Sequence, residues 1–240
     1  MTLDEVCNAI IELLPMSEGN LGFVSPSHFI PQMVSIIEEL WRRGHHPTIV
    51  YNTNGYDLSE TISSLEGFVD VWLPDFKYSD DNLAVELSEV PNYSFYALVA
   101  LKAMAHQVGV TLQTDDRGIA RRGIIVRHLV LPGFEQNSIG VLRLISEELS
   151  PNLHISLMSQ YYPPLGNLRF ANSDVRLKPP TRKSKIENRK SLLHPINLIE
   201  YQKVLDTFHK LGFSHGWLQD FESHQSYRPD FSKKDPFAEI

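Results

Sequence analysis

The tightest constraint on this chain is a recurring pair: a short, continuously apolar run closed by proline or polar residues, then an amphipathic stretch of helical spacing. The runs are "NLGFVSP" (20–26), "PTIVYNTNG" (47–55), "VDVWLPDFKY" (69–78), "GIIVRHLVLPG" (123–133) and "LHISLMSQYYP" (153–163). Each has strand length, and near-continuous apolar character suits strands of a parallel sheet. Helical patterns fill the gaps at 2–14, 31–43, 58–65, 80–109 (in two pieces divided near Pro91) and 138–149, the last with Ser138 or Asn137 as its N-cap. A further helix is expected at 197–211, closed by Gly212, before a last strand, "HGWLQDF" (215–221). The alternation predicts an α/β fold, a parallel sheet with helices on its outside. At 240 residues the chain suits one barrel-sized domain or two small ones. The expected division is a core at 1–165, a basic irregular insertion at 166–195, and a helix, strand and tail at 196–240 completing the same domain.

Composition removes several classes of function. A net charge of −7 gives no general reason to expect nucleic acid or an anionic membrane as partner. No apolar run approaches the roughly 18 residues of a membrane-spanning helix. Asp4 and Glu5 stand where a signal peptide would be positive, so a cytoplasmic location is expected. The single cysteine, Cys7, cannot form an intramolecular disulfide. It lies on the stripe Leu3, Val6, Cys7, Ile10, Leu13, Leu14, the spacing of one helix face, and reads as a packed core thiol. Residues 176–190, "RLKPPTRKSKIENRK", hold seven basic residues against one acidic. They read as a solvated insertion, with an acidic partner or nucleic acid as the alternative.

The strand ends carry the chemistry. In parallel α/β folds, ligands bind at the carboxyl ends of the strands. Here those ends present Ser25-Pro26-Ser27-His28, Asn52-Thr53-Asn54-Gly55, Asp75-Phe76-Lys77, Arg127-His128 and Ser159-Gln160-Tyr161. Singly each has a plain reading: Asn54-Gly55 as a turn, His28 as a capping residue, Arg127 and His128 alternating between faces. Asp75 and Lys77, two apart on a strand, share a face and suit an ion pair. Together the five ends point to a pocket for a small zwitterionic molecule. Lys77 and Arg127 suit a carboxylate, Asp75 an amine or hydroxyl, and the Asn and Thr groups a ribose or amide.

At these residues the chain resembles the radical SAM proteins related to pyruvate formate-lyase activating enzyme. The motifs "NLGFVSPSHFIPQM", "VYNTNGY", "VDVWLPDFKY", "GIIVRHLVLPG" and "ISLMSQYYP" are similar to that family's successive strand motifs. They are most like a branch with "PTH", "YNTSGY", "LPDFKY" and "RHLVLPG" signatures, and the tail "HGWLQDFESHQSYRPDF" fits too. The resemblance implies a partial (β/α) barrel that binds S-adenosylmethionine at its mouth. In active members a 4Fe–4S cluster, held by a Cys-x3-Cys-x2-Cys loop after the first strand, cleaves that cosubstrate reductively. The resulting 5′-deoxyadenosyl radical abstracts hydrogen, in activating enzymes from a glycine of a partner protein.

Carried across residue by residue, the resemblance implies that Asn52, Thr53 and Asn54 lie near the ribose and methionyl group. Asp75 and Lys77 line the same pocket, Gln160 and Tyr161 meet the adenosine part, and Arg127 lies on the fifth strand. Ser25, Ser27 and His28 stand where the family carries a Gly-Gly-Glu-like motif that grips the methionine amine. The chain departs from the pattern at the cluster: it has no Cys-x3-Cys-x2-Cys, and Cys7 alone cannot hold one. The helix at 2–14 resembles the one after the cluster loop, so the first strand and loop are expected upstream of Met1, in a truncated, split or degenerate relative. The partners implied are an upstream-encoded fragment carrying the loop and a glycyl-radical-type protein; neither nucleic acid nor membrane is expected. Two other readings are a cluster-free barrel enzyme using Lys77 as a Schiff-base amine, and a non-enzymatic SAM-binding or protein-interaction remnant.

Overall fold

The computed structural model describes residues 1–163 and 190–223. Its elements alternate almost throughout: α1 (Leu3–Leu13), β1 (Asn20–Val24), α2 (Ile30–Arg42), β2 (Thr48–Thr53), α3 (Ser59–Ser63), β3 (Val71–Pro74), α4 (Asp81–Ser88) and α5 (Tyr93–Val108). Then follow β4 (Gln113–Thr114), β5 (Ala120–Leu129), α6 (Glu135–Glu148), β6 (His154–Met158), α7 (Leu198–Lys210) and β7 (Gly216–Leu218). The basic segment 176–190 falls almost wholly outside the described residues.

Six strands lie in the order β1-β2-β3-β5-β6-β7, every neighbouring pair parallel, and the short β4 pairs antiparallel with β5. The order never reverses. Right-handed crossovers repeated in one direction place every connecting helix on the same face of the sheet. Burial records this asymmetry. Ile49, Tyr51 and Thr53 of β2 are buried, as are Trp72 of β3, Ile124, Val126 and His128 of β5, and Ile155 and Leu157 of β6. The register aligns Tyr51 with Trp72, Trp72 with Ile124 and Val126 with Ile155, so these residues form one helix-covered face. Asn52, Leu73, Ile125, Arg127, Ser156 and Met158 share the opposite face and are only partly buried, whereas Val71 on that face is buried. The apolar runs therefore belong to strands with one sealed face and one open face.

Local chemistry explains several element ends. Thr2 caps α1 through a reciprocal bond with Glu5, and Asn197 does the same for α7 with Glu200. Cys7 is fully buried between α1 and α2, as its stripe predicts. The division near Pro91 holds, with α4 ending at Ser88 and α5 opening at Tyr93. The start of α6 differs from expectation. It begins at Glu135, and neither Asn137 nor Ser138 is its cap; both are buried inside the first turns and bond to other elements.

A candidate ligand site at the strand ends

Pro74 ends β3 by conformation, but the ladder continues past it. The Asp75 N–H donates to the Thr53 carbonyl at 2.8 Å and the Phe76 N–H to the Arg127 carbonyl at 2.9 Å. This backbone bridge brings Asp75 beside Arg127. Arg127 Nε and Nη2 reach Asp75 Oδ1 at 2.8 and 2.6 Å, while Lys77 Nζ lies 3.1 Å from Oδ2. Two cations thus share one carboxylate, leaving a unit of positive charge uncompensated within the triad. Asp75 is about 17% exposed and Lys77 44%, so the lysine end opens to solvent.

The triad forms one wall of a cleft of ≈290 Å³, continued by Gln160, with Tyr78, Leu129 and Met158 among its other lining residues. Gln160 is held by Gln219, whose Nε2 donates to Gln160 Oε1 at 2.9 Å. A larger groove of ≈460 Å³ between α1 and α2 is lined by residues such as Leu3, Val6 and Ile36, with no ionisable side chain.

The other residues singled out from sequence lie elsewhere. Asn52 shares the open face but is not among the cleft's lining residues. Thr53 points to the sealed face, where its hydroxyl donates to Asp57 and accepts the Gly55 N–H at 3.2 Å. Asn54 is exposed and folds its Oδ1 back onto the Tyr56 N–H at 2.9 Å, an Asx turn. Ser25, Ser27 and His28 are exposed at the end of β1, and Ser25 sits in the left-handed region at φ 50°. Ser27 lies close enough to influence Asp57 and the Tyr51 hydroxyl, although that hydroxyl makes no well-formed hydrogen bond. Burial pushes both the Asp57 carboxyl and the Tyr51 phenol up. Tyr161 is tied down by donating to the Leu192 carbonyl at 2.8 Å.

Two supporting residues, Tyr93 and Asn137, were not legible as site residues, and a third, His128, was named at its strand end beside Arg127. Tyr93, on α5, accepts the Lys77 N–H at 3.0 Å and donates to the Asn54 carbonyl at 2.8 Å, with the Asp75 carbonyl 3.1 Å away. Burial drives its phenol far upward, so it stays neutral. Asn137 donates to the Lys77 carbonyl at 2.9 Å and accepts the Ser79 N–H at 2.8 Å. His128 lies on the sealed face behind Arg127. Its Nδ1 must carry the proton, because it meets the Phe76 carbonyl at 2.6 Å; Nε2 then accepts from the Ser138 hydroxyl at 2.8 Å. Burial pushes His128 down to about 4, leaving a neutral imidazole that joins β5 to α6.

The class these features define is an α/β protein with a parallel sheet, helices on one side and a cationic cleft at the strand ends. No family model matches the chain. An uncharacterised protein of Methanocaldococcus jannaschii is 28% identical over 159 residues, or 66% of this chain. The match spans 42% of that relative, less than half of its length. Among the described residues no helix is long and apolar enough to cross a membrane.

Proposed function

We propose that the chain is the S-adenosylmethionine-binding part of a radical SAM-type partial (β/α) barrel, with the cosubstrate's methionyl end in the Asp75–Lys77–Arg127–Gln160 cleft. The observation that carries this reading is the convergence of those four side chains from β3, β5 and β6 on the open face of a sheet whose strand order never reverses. Such a sheet curls naturally toward a barrel with its ligands at the carboxyl ends of the strands. The donor set suits an α-amino acid: Arg127 and Lys77 offer N–H groups to a carboxylate, and Asp75 accepts from an ammonium. A volume of ≈290 Å³ lies at the small end of ligand pockets and suits an amino-acid-sized moiety.

The iron–sulfur cluster of active relatives does not fit this chain's donor set. Such clusters take several thiolates, whereas Cys7 is alone and shut between α1 and α2, near the Ile36 carbonyl at 4.0 Å. Burial also pushes its thiol up, away from the thiolate form. No radical step is assigned to these residues. They bind and orient a sulfonium amino acid, and reductive cleavage belongs to a polypeptide that supplies the thiolates. The Schiff-base reading is weaker, because Lys77 Nζ is occupied by Asp75.

Calorimetric titration with S-adenosylmethionine tests the proposal. Saturable binding is expected at one site, weakened at least about tenfold by Arg127→Ala, since losing a charge-assisted contact removes roughly 1.5–3 kcal/mol. No binding to the wild-type chain, or equal binding to the variant, overturns it.

A further inference from the structure

Two histidines meet on the open face at the other end of β6. His154 opens β6, and His215 directly precedes β7. The register pairs Ile155 with Gly216, and the Ile155 N–H donates to the His215 carbonyl at 3.3 Å, so the histidines are side-by-side neighbours on parallel strands. Gly216 sets this closeness. At φ +127°, a Cβ placed there would lie 2.0 Å from the Ile155 carbonyl oxygen, so only glycine lets the chains approach at that point.

The imidazole centroids are 5.1 Å apart and the ring planes tilt by 42°. Two imidazoles on one tetrahedral metal, each at about 2.0–2.1 Å from it, place their centroids roughly 5 Å apart. His215 Nδ1 lies 3.1 Å from the Ser214 hydroxyl, an outer partner that fixes the ring and leaves Nε2 without a partner among the described residues. His154 Nδ1 is buried and has no hydrogen-bond partner among the described residues, a lone pair or proton left unsatisfied.

We infer that His154 and His215 form a binding site for a divalent transition metal of the imidazole-preferring class, zinc, nickel or copper, that clips β7 to β6. The two histidines supply two ligands, and the open face admits water to complete the coordination. The site is distinct from the Asp75–Arg127 cleft, and its mechanical consequence is clear. The three residues of β7 are all exposed, so the strand has little side-chain burial to hold it, and a cross-strand metal pins it where packing is weakest.

Titration of the purified chain with zinc, nickel and copper salts tests the site. Copper(II) is expected to bind at one equivalent and to quench Trp217, whose ring lies 6.2 Å from that of His154. His215→Ala removes an exposed ligand and should weaken binding at least about tenfold. His154→Gln should do the same, and both variants should lose the metal-induced rise in Tm expected of the wild type. Trp217→Phe should keep the binding and lose the fluorescence signal. Absence of saturable binding by all three metals overturns the inference. So does binding that survives both histidine variants, which would place the metal elsewhere, for instance at His45-His46 beside Trp41.

Discussion

Gly55 is the residue on which the candidate ligand site turns. The pair Asn54-Gly55 has the composition of a hairpin turn, yet here it follows a parallel strand and its glycine serves a close approach. At φ +81° a Cβ on Gly55 would lie 2.1 Å from the Asp75 carbonyl oxygen and 3.1 Å from the Tyr93 hydroxyl. Gly55→Ala therefore combines left-handed strain with a backbone overlap and should cost more than about 2 kcal/mol of stability. A urea midpoint close to the wild type's would contradict that. His128 sets a second test, on pH. Its value falls from 6.5 to about 4 on folding, so the unfolded chain binds the proton first as pH drops. The stabilisation from neutral His128 is complete above about pH 6.5 and is lost toward pH 4, at roughly 1.4 kcal/mol per pH unit. His128→Gln should flatten the pH dependence of unfolding between pH 6.5 and 5 by about 1–2 kcal/mol relative to wild type, once other carboxylate titrations cancel in the difference.

Between elements, hydroxyls and amides on helices hold the strand ends in place. Tyr93 on α5 joins the ends of β2 and β3, and Asn137 on α6 holds the segment after β3. Tyr93→Phe keeps the ring, which packs edge-on to Phe76 and Tyr78, and removes the only acceptor seen for the Lys77 N–H among the described residues. It should cost about 1–3 kcal/mol, the penalty for a buried group left unpaired. It should also weaken whatever ligand the cleft binds, because Lys77 loses its anchor. Equilibrium unfolding and ligand titration of the same variant separate the two effects. This is also where sequence reading reached its limit. The strands were legible because their apolar runs are continuous, and the Asp75–Lys77 pairing because a strand repeats every two residues. Tyr93 was not, since a tyrosine at a helix start with apolar neighbours looks like core. Asn137 and Ser138 carried the signature of a cap, but their partners are Ser79, in the loop after β3, and His128, on β5. Spacing in the chain holds no record of such contacts.

For the whole molecule, the unreversed strand order has two consequences. It seals one sheet face with helices while leaving the other open for the cleft and the histidine pair, and it leaves β1 with a single neighbour among the described residues. The alternation of bonds is readable from the ends of β1: Gly19 accepts from Thr48 and Ser25 donates to Asn52, so odd residues face β2. Asn20, Gly22 and Val24 therefore turn their backbone groups outward. Asn20 spends its N–H on the Ser17 carbonyl, whereas Gly22 and Val24 have no such partner among the described residues. Nothing lies within 4 Å of a Cβ built on Gly22, and Val24 is 68% exposed. An edge this open and uncharged is a template for strand addition. The chain should associate with rising concentration in sedimentation experiments, and Val24→Lys should restore a monomer while changing unfolding free energy by less than about 0.5 kcal/mol. The amides of Gly22 and Val24 should exchange faster than those of β3 and β5 at the sheet centre. A wild-type chain that stays monomeric at every concentration, with slow exchange at Gly22 and Val24, would mean that this edge is covered, and the sheet closed beyond β1.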